Sequence, residues 1–197
     1  MKKYIIFDLD GTLIYSEVQI NKIILEYIEN NLWEDYLDST RYFLNNMKWG
    51  TLKYLFEYLW INNEENKKHS DILFEKLKQI KNIEFIEWTI EKIKELKNNW
   101  FMLFLSTGNS TDFANKILKD ANIDILFEKI MWSDIIPKSN EHIEIFKEIA
   151  WDENFYKNSV SVWDWQKEEQ IAKEKNIDFV HIWDTYKSIA QIDFKKI

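Results

Sequence analysis

Cysteine is absent from this 197-residue chain, which excludes disulfides and thiolate metal sites. Arginine is nearly absent: Arg41 is the single one among 26 basic residues. Against them stand 34 acidic residues, for a formal net charge of −8. The chain has no basic stripe of the kind a phosphate backbone demands, so nucleic acid is not an expected partner. No apolar run approaches the roughly 18 residues of a membrane span, so no membrane partner is expected. The first apolar run is interrupted by Asp8 and Asp10 and is no signal-peptide core. These absences predict a soluble, cytoplasmic protein. Glycine is the strangest shortage: 3 residues, where about 7% is usual, in a chain that must turn many times and carries 10 tryptophans.

What is present is organised around residues 4–12, Tyr-Ile-Ile-Phe-Asp-Leu-Asp-Gly-Thr. A short apolar run closed by glycine fits a strand covered on both faces, as in a parallel sheet. Ligand crevices of such sheets lie beyond the carboxyl ends of the strands. Asp8 and Asp10 would project there one residue apart and repel each other if both ionise, which makes a divalent cation a natural partner. Asp and Gly are also common turn residues, so this stretch taken alone reads equally well as a turn.

Downstream, Ile20, Ile23, Ile24, Tyr27 and Ile28 recur at helical spacing, as do Leu52, Leu55, Phe56 and Leu59, and then Ile72, Leu73, Leu77 and Ile80. Residues 16–81 contain no convincing strand and read as a small helical unit inserted after the first strand, its stripes being core packing. A helix over Thr89–Lys97 leads to a strand over Trp100–Leu105 that ends in Ser-Thr-Gly-Asn-Ser, followed by a helix over Thr111–Lys119. That order presents N–H groups and hydroxyls to an anion, although a plain helix N-cap uses the same residues. Leu126–Trp132 reads as a strand, and Pro137 and Lys138 precede a helix over Glu141–Ala150. Ser159–Trp163 is another apolar strand ending in an acid, Asp164, with Glu168 and Glu169 beyond it. An acid at a strand end plus one in the following turn can complete an oxygen set for Mg²⁺, though two such acids also suit an exposed first turn of a helix. A helix over Glu169–Lys175 and a strand over Phe179–Trp183 close the chain. His69, His142 and His181 lack ligand spacing and are assigned no chemistry. Strands alternating with helices predict an α/β fold: a doubly wound parallel sheet formed by residues 1–15 and 82–197, with the all-helical insert at 16–81.

Four strand ends therefore converge, at Asp8 and Asp10, at Thr107, near Lys138 and at Asp164. In that order they resemble the four motifs of the haloacid dehalogenase superfamily of phosphatases and phosphomutases, across nearly the whole chain. The segment Leu-Ser-Thr-Gly-Asn is similar to a form found in phosphoglycolate phosphatase-like members. The resemblance implies a Rossmann-like core with a helical cap, Asp8 as nucleophile and Asp10 as general acid and base. It implies phosphate binding by Thr107, Gly108 and Lys138, and Mg²⁺ held through Asp8, Asp10, Asp164 and Glu168. The implied activity is Mg²⁺-dependent hydrolysis of a small phosphorylated metabolite through an aspartyl phosphate. Arg41 and Lys53 are candidate anion contacts in the cap. Two other readings stay open: a sugar-phosphate mutase of the same superfamily, and a catalytically silent relative acting as a binding module. Retention of the acids, Thr107 and Lys138 speaks against silence, and the tryptophans beside Asp164 speak for it.

The tryptophans stand where glycine is expected. Trp100 follows Lys-Asn-Asn at a predicted helix end, where a left-handed residue, usually glycine, precedes the next strand. Trp33, Trp60 and Trp151 sit similarly after helical stripes. The resemblance implies small residues at Trp163 and Trp165, around the fourth-motif acid. Reading the ten as glycine would restore the usual content of about 7%, whereas a genuine tryptophan-rich core is the alternative.

Overall fold

The computed structural model describes residues 2–32, 34–46, 52–77, 79–80, 83–164, 166–183 and 186–197, with the side chains of Lys53, Asn63, Gln166, Lys167 and Glu168 outside the description. Strand β1 (Tyr4–Phe7) is buried along its whole length, which its continuous apolar run requires. It pairs in parallel with β2 (Met102–Thr107) on one side and with β4 (Ser159–Trp163) on the other, with Phe7 opposite Leu105 and Val162. Strands β3 (Phe127–Trp132) and β5 (Asp178–His181) complete a five-stranded, all-parallel sheet in the order β3-β2-β1-β4-β5. The order reverses at β1, so the crevice beyond the ends of β1, β2 and β4 is the topological switch point, where such sheets bind ligands.

Two compact units divide the chain: residues 1–15 with 83–197, and residues 16–82. In the sheet unit, alternation along β1 sends Tyr4 and Ile6 to a cluster with Phe104, Ile143, Phe146, Phe155 and Trp163, under α7 (Asn140–Ala150) and α8 (Gln166–Lys175). Phe104 and Phe146 stack at 4.8 Å between centroids. Phe7 points to the other face and meets Phe194 edge-on at 6.2 Å. Each such fully buried side chain is worth about 1.5–3 kcal/mol, and Ile6→Ala at this centre would cost about 2–5 kcal/mol through the cavity left behind. Helices α5 (Thr89–Asn98) and α6 (Thr111–Asp120) connect the strands.

The unit 16–82 is helical among its described residues: α1 (Glu17–Asn31), α2 (Asp35–Asn46), α3 (Leu52–Tyr58) and α4 (Asn63–Leu77). Its core gathers Ile24, Tyr27, Ile28, Leu37, Phe43, Leu55, Phe56, Leu59 and Leu73. Helix α4 begins on a reciprocal cap: Asn62 Oδ1 accepts the Glu65 N–H at 3.0 Å while its amide donates to the Glu65 carboxylate at 2.7 Å.

The structure shifts several expected boundaries. Helix α2 has no counterpart in the sequence reading, because its buried side is only Leu37, Thr40 and Phe43, too sparse a stripe to register. Strand β2 starts at Met102 rather than at position 100, since Trp100 is left-handed (φ 67°), and it runs on to Thr107 because Ser106 and Thr107 still pair with Met131 and Trp132. Strand β5 stops at His181, and Trp183, again left-handed (φ 79°), belongs to the turn that follows. Helix α8 begins at Gln166, three residues before the expected start.

Candidate active site at the carboxyl edge of the sheet

All five strands point the same way, so the residues that follow β1, β2 and β4 meet at one edge. Asp8, the first residue after β1, is buried; its backbone N–H extends the pairing to Val162 O at 3.2 Å. One carboxylate oxygen accepts the Leu9 N–H at 2.7 Å, and the other lies 2.8 Å from Lys138 Nζ. With Lys138 only 14% exposed at its side chain, this ion pair is largely withdrawn from water, where charge–charge contacts are strongest and least screened. Asp10 meets different chemistry: Asn109 donates its side-chain amide to the Asp10 carboxylate. The same amide reaches Thr107 Oγ1 at 3.2 Å, and the Asn109 backbone N–H donates to that hydroxyl at 3.1 Å. Thr107 is fully buried at the end of β2.

Directly after Asp10 the chain turns through Gly11, at φ +65°. A Cβ there would lie 2.1 Å from Asp164 Oδ2, so glycine is required both for the left-handed turn and for the space the carboxylate occupies. Asp164, directly after β4, is thereby held against the first loop. Burial, and the neighbouring charge of Asp8, push its carboxyl up to about 7 against the pull of Lys138, with Asp10 adding to the rise. Gly108 is different, since an added Cβ would meet nothing within 4 Å. What its turn offers an anion is backbone.

Lys138 lies six residues beyond β3, and three ties hold its loop. Ser133 Oγ donates to Thr107 O at 3.0 Å and accepts the Lys138 N–H at 3.1 Å. Asp134 caps α6 from a distance, accepting the Thr111 N–H and hydroxyl, each at 2.9 Å. His142, fully buried on α7, spans Ser106 Oγ (2.8 Å from Nδ1) and Ile136 O (2.8 Å from Nε2). A carbonyl only accepts, so Nε2 carries the proton and Nδ1 takes the Ser106 hydroxyl. Burial holds His142 below the usual imidazole pKa, the Ile136 contact opposing this and Lys138 adding to it.

Asn109, Ser133 and His142 were not singled out as site residues in the sequence. The only available signal was the proximity of Asn109 to Thr107, because the ties of Ser133 to Thr107 and of His142 to Ser106 join residues 26 and 36 positions apart. Of the expected anion contacts in the helical unit, Arg41 pairs with Asp38 at 2.9 Å on an exposed face, and the Lys53 side chain lies outside the described residues. So does the side chain of Glu168.

Asp8, Asp10 and Asp164 supply hard oxygen donors, and the upward shift of Asp164, caused first by burial and then by the charge of Asp8, is one a divalent cation would oppose. The chemistry of the set fits Mg²⁺. Among the described residues no three acidic or imidazole side chains are gathered into a metal-holding group.

A family model described as haloacid dehalogenase-like hydrolase matches residues 5–182. Among solved structures, the chain is similar to a protein assigned as a phosphatase from Clostridium difficile, at 23% identity and a TM-score of 0.74 over 96% of this chain and 88% of that one. It is also similar to a predicted phosphoglycolate phosphatase from Haemophilus somnus, at 19% identity and 0.67 over 94% and 87%. A third likeness is to CbbY from Rhodobacter sphaeroides in complex with phosphate, at 15% identity and 0.67 over 98% and 92%. At these identities the likeness establishes the fold. No match was found among curated proteins.

Proposed function

The chain belongs to the haloacid dehalogenase-like hydrolase family, and from that premise we propose that it is a Mg²⁺-dependent phosphatase acting on small phosphate monoesters. The observation that supports the reading is the contrast between the settings of two acids two residues apart, Asp8 facing Lys138 at 2.8 Å and Asp10 held by Asn109. The printed names of similar structures, a phosphoglycolate phosphatase and a complex with phosphate, support a small phosphorylated substrate.

In this reading an Asp8 carboxylate oxygen attacks phosphorus and the bond from phosphorus to the ester oxygen breaks, leaving an acyl phosphate on Asp8. Asp10 gives its proton to the departing alkoxide. It then takes a proton from a water that attacks the acyl phosphate, which regenerates Asp8 and releases inorganic phosphate. Thr107, the backbone of the turn at Gly108, and Lys138 hold the transferred oxygens, and Lys138 exchanges its partner Asp8 for the phosphoryl group. Asn109 keeps Asp10 and Thr107 in register, as positioning requires in a reaction that depends chiefly on placement and charge. Asp8, Asp164 and the Asp10 carbonyl, with Glu168, would hold Mg²⁺, which supplies charge neutralisation when bound. The helical unit 16–82 is assigned the choice of substrate.

Hydrolysis of a generic aryl phosphate with and without Mg²⁺ tests the reading, followed by a panel of phosphorylated metabolites. Phosphate release that disappears with chelator is expected. No release under either condition, or isomerisation of a sugar phosphate without release, would overturn it.

A further inference from the structure

Among the described residues, seven that are not glycine have positive φ, and five of them are tryptophan: Trp60 (58°), Trp88 (62°), Trp100 (67°), Trp151 (51°) and Trp183 (79°). The other two, Asn122 and Asn176, are of the residue type that tolerates this region. A β-carbon crowds the neighbouring carbonyl in the left-handed conformation, and a bulky aromatic there has no local hydrogen bond to offset it.

The helix ends make the point in detail. After α6, the Asn122 N–H donates to Lys119 O and the Ile123 N–H to Leu118 O; after α8, Asn176 and Ile177 repeat the pattern to Lys173 O and Ala172 O. These are Schellman ends, whose left-handed position takes glycine first and asparagine second. Helices α3 and α5 end in the same way. Trp60 donates to Glu57 O and Ile61 to Phe56 O, while Trp100 donates to Lys97 O and Phe101 to Leu96 O. Tryptophan thus occupies the glycine position of two such ends. Trp151 closes α7 as a left-handed cap, and Trp88 stands left-handed before α5.

Packing offers no reason for an indole at four of these places. Trp60, Trp100 and Trp151 are 93%, 92% and 95% exposed, and Trp88 is 68% exposed. A side chain that otherwise dominates cores is spread over the surface at the very positions whose backbone excludes it. Trp183 makes contacts, donating its indole N–H to Gly11 O at 2.7 Å beside Tyr15, but it has the most positive φ of the five. Trp132 and Trp163 lie in strands, and there the strain is polar: each has a buried indole N–H without a hydrogen-bond partner.

We infer that positions 60, 88, 100, 151 and 183 are glycine in the polypeptide its source makes. The tryptophans arise where UGA codons, read as glycine by that source, are rendered by a code that assigns UGA to tryptophan. One codon with two readings explains why a single residue type fills these places and why glycine is scarce at the same time. The near-absence of arginine beside abundant lysine fits an AT-rich gene. The first loop of the site is affected directly, since a glycine at 183 would free the Gly11 carbonyl that the indole now engages.

Two measurements test this, and neither reads activity, so their failure is separate from any failure of the phosphatase assignment. The first is the gene and the native protein: UGA at all five codons, with native peptides carrying glycine there, is expected. UGG codons, or tryptophan in the native peptides, would overturn the inference. The second is thermal unfolding of the recombinant chain against the variant carrying Trp60→Gly, Trp88→Gly, Trp100→Gly and Trp151→Gly, with Trp60→Asn and Trp100→Asn as a second pair. Relief of four left-handed positions should raise Tm by roughly 10 °C, less for the asparagine pair. A Tm at or below that of the tryptophan chain in both variants would overturn it.

Discussion

Two neighbouring strands of the sheet, β1 and β4, end in the same residue type and leave it in opposite circumstances. Asp8 is met by an ammonium group at 2.8 Å and by a backbone N–H at 2.7 Å. Asp164 is buried beside Asp8 and Asp10, and its carboxyl is pushed up to about 7. A strand end supplies a carboxylate's position, and the loops that arrive from elsewhere decide its charge and its use. Here the deciding loop is the one through Ser133 and Lys138, which serves Asp8 first. Asp164, buried beside Asp8 and Asp10, is the carboxyl that resists ionisation.

The comparison breaks most severely at Asp8. Asp8→Asn preserves shape and removes the proposed nucleophile, so turnover should fall by roughly 10⁴-fold or more with an unchanged circular dichroism spectrum. Activity within tenfold of the parent would mean that the two acids do not divide the work as described. Asp10→Asn should cost about 10²–10⁴-fold with alkyl phosphates, whose leaving group needs a proton, and distinctly less with aryl phosphates. Equal losses with both would take the proton away from Asp10.

Asp164 sharpens the comparison through pH. Its folded pKa lies above the unfolded value, so its contribution to stability is present below about pH 4 and is lost as the pH rises through about 7. His142 runs the other way: held neutral by burial, it contributes above its unfolded pKa of about 6.5 and loses that contribution as the pH falls. In the Mg²⁺-free protein, Asp164→Asn should therefore remove the decline in Tm between pH 4.5 and 7 and leave the His142 trend exposed. Added Mg²⁺ should raise the Tm of the parent at pH 7 and do little for the variant. Identical pH profiles would contradict the crowding of negative charge at the end of β4.

The smallest expected effect lies at the ties of the lysine loop. Ser106→Ala leaves His142 Nδ1 buried without a partner, at a cost of about 1–3 kcal/mol, or a few degrees in Tm for a chain of this size. The rise should appear in KM before kcat, because the change loosens Lys138 and leaves both acids in place. A fall confined to kcat would assign His142 a part in the chemistry itself.

How much of this was legible in the sequence follows from where each feature originates. Apolar runs that stop at an acid mark β1 and β4, so Asp8 and Asp164 were readable from local pattern alone. Lys138 was not, since five residues of loop separate it from β3, and only its order among the other motifs pointed to it. Ser133 and His142 act across the fold, and nothing local distinguishes them from ordinary polar residues, while Asn109 was marked only by its place beside Thr107. Helix α2 escaped because three buried residues in twelve make no stripe. The left-handed tryptophans were partly visible: Trp60, Trp100 and Trp151 follow helical stripes, whereas Trp88 precedes a helix and Trp183 lies in the turn after β5, where glycine has no fixed expectation.

In the proposed reaction Asp8 carries the transferred phosphoryl group. Borohydride quenching of the enzyme during steady turnover of an aryl phosphate reduces an aspartyl phosphate at its carbonyl and marks the peptide that bore it. The mark is expected on the peptide containing residues 4–12, at Asp8, in amounts that rise with substrate and vanish in Asp8→Asn. A mark on any other acid, or undiminished turnover with no mark at all, would contradict it.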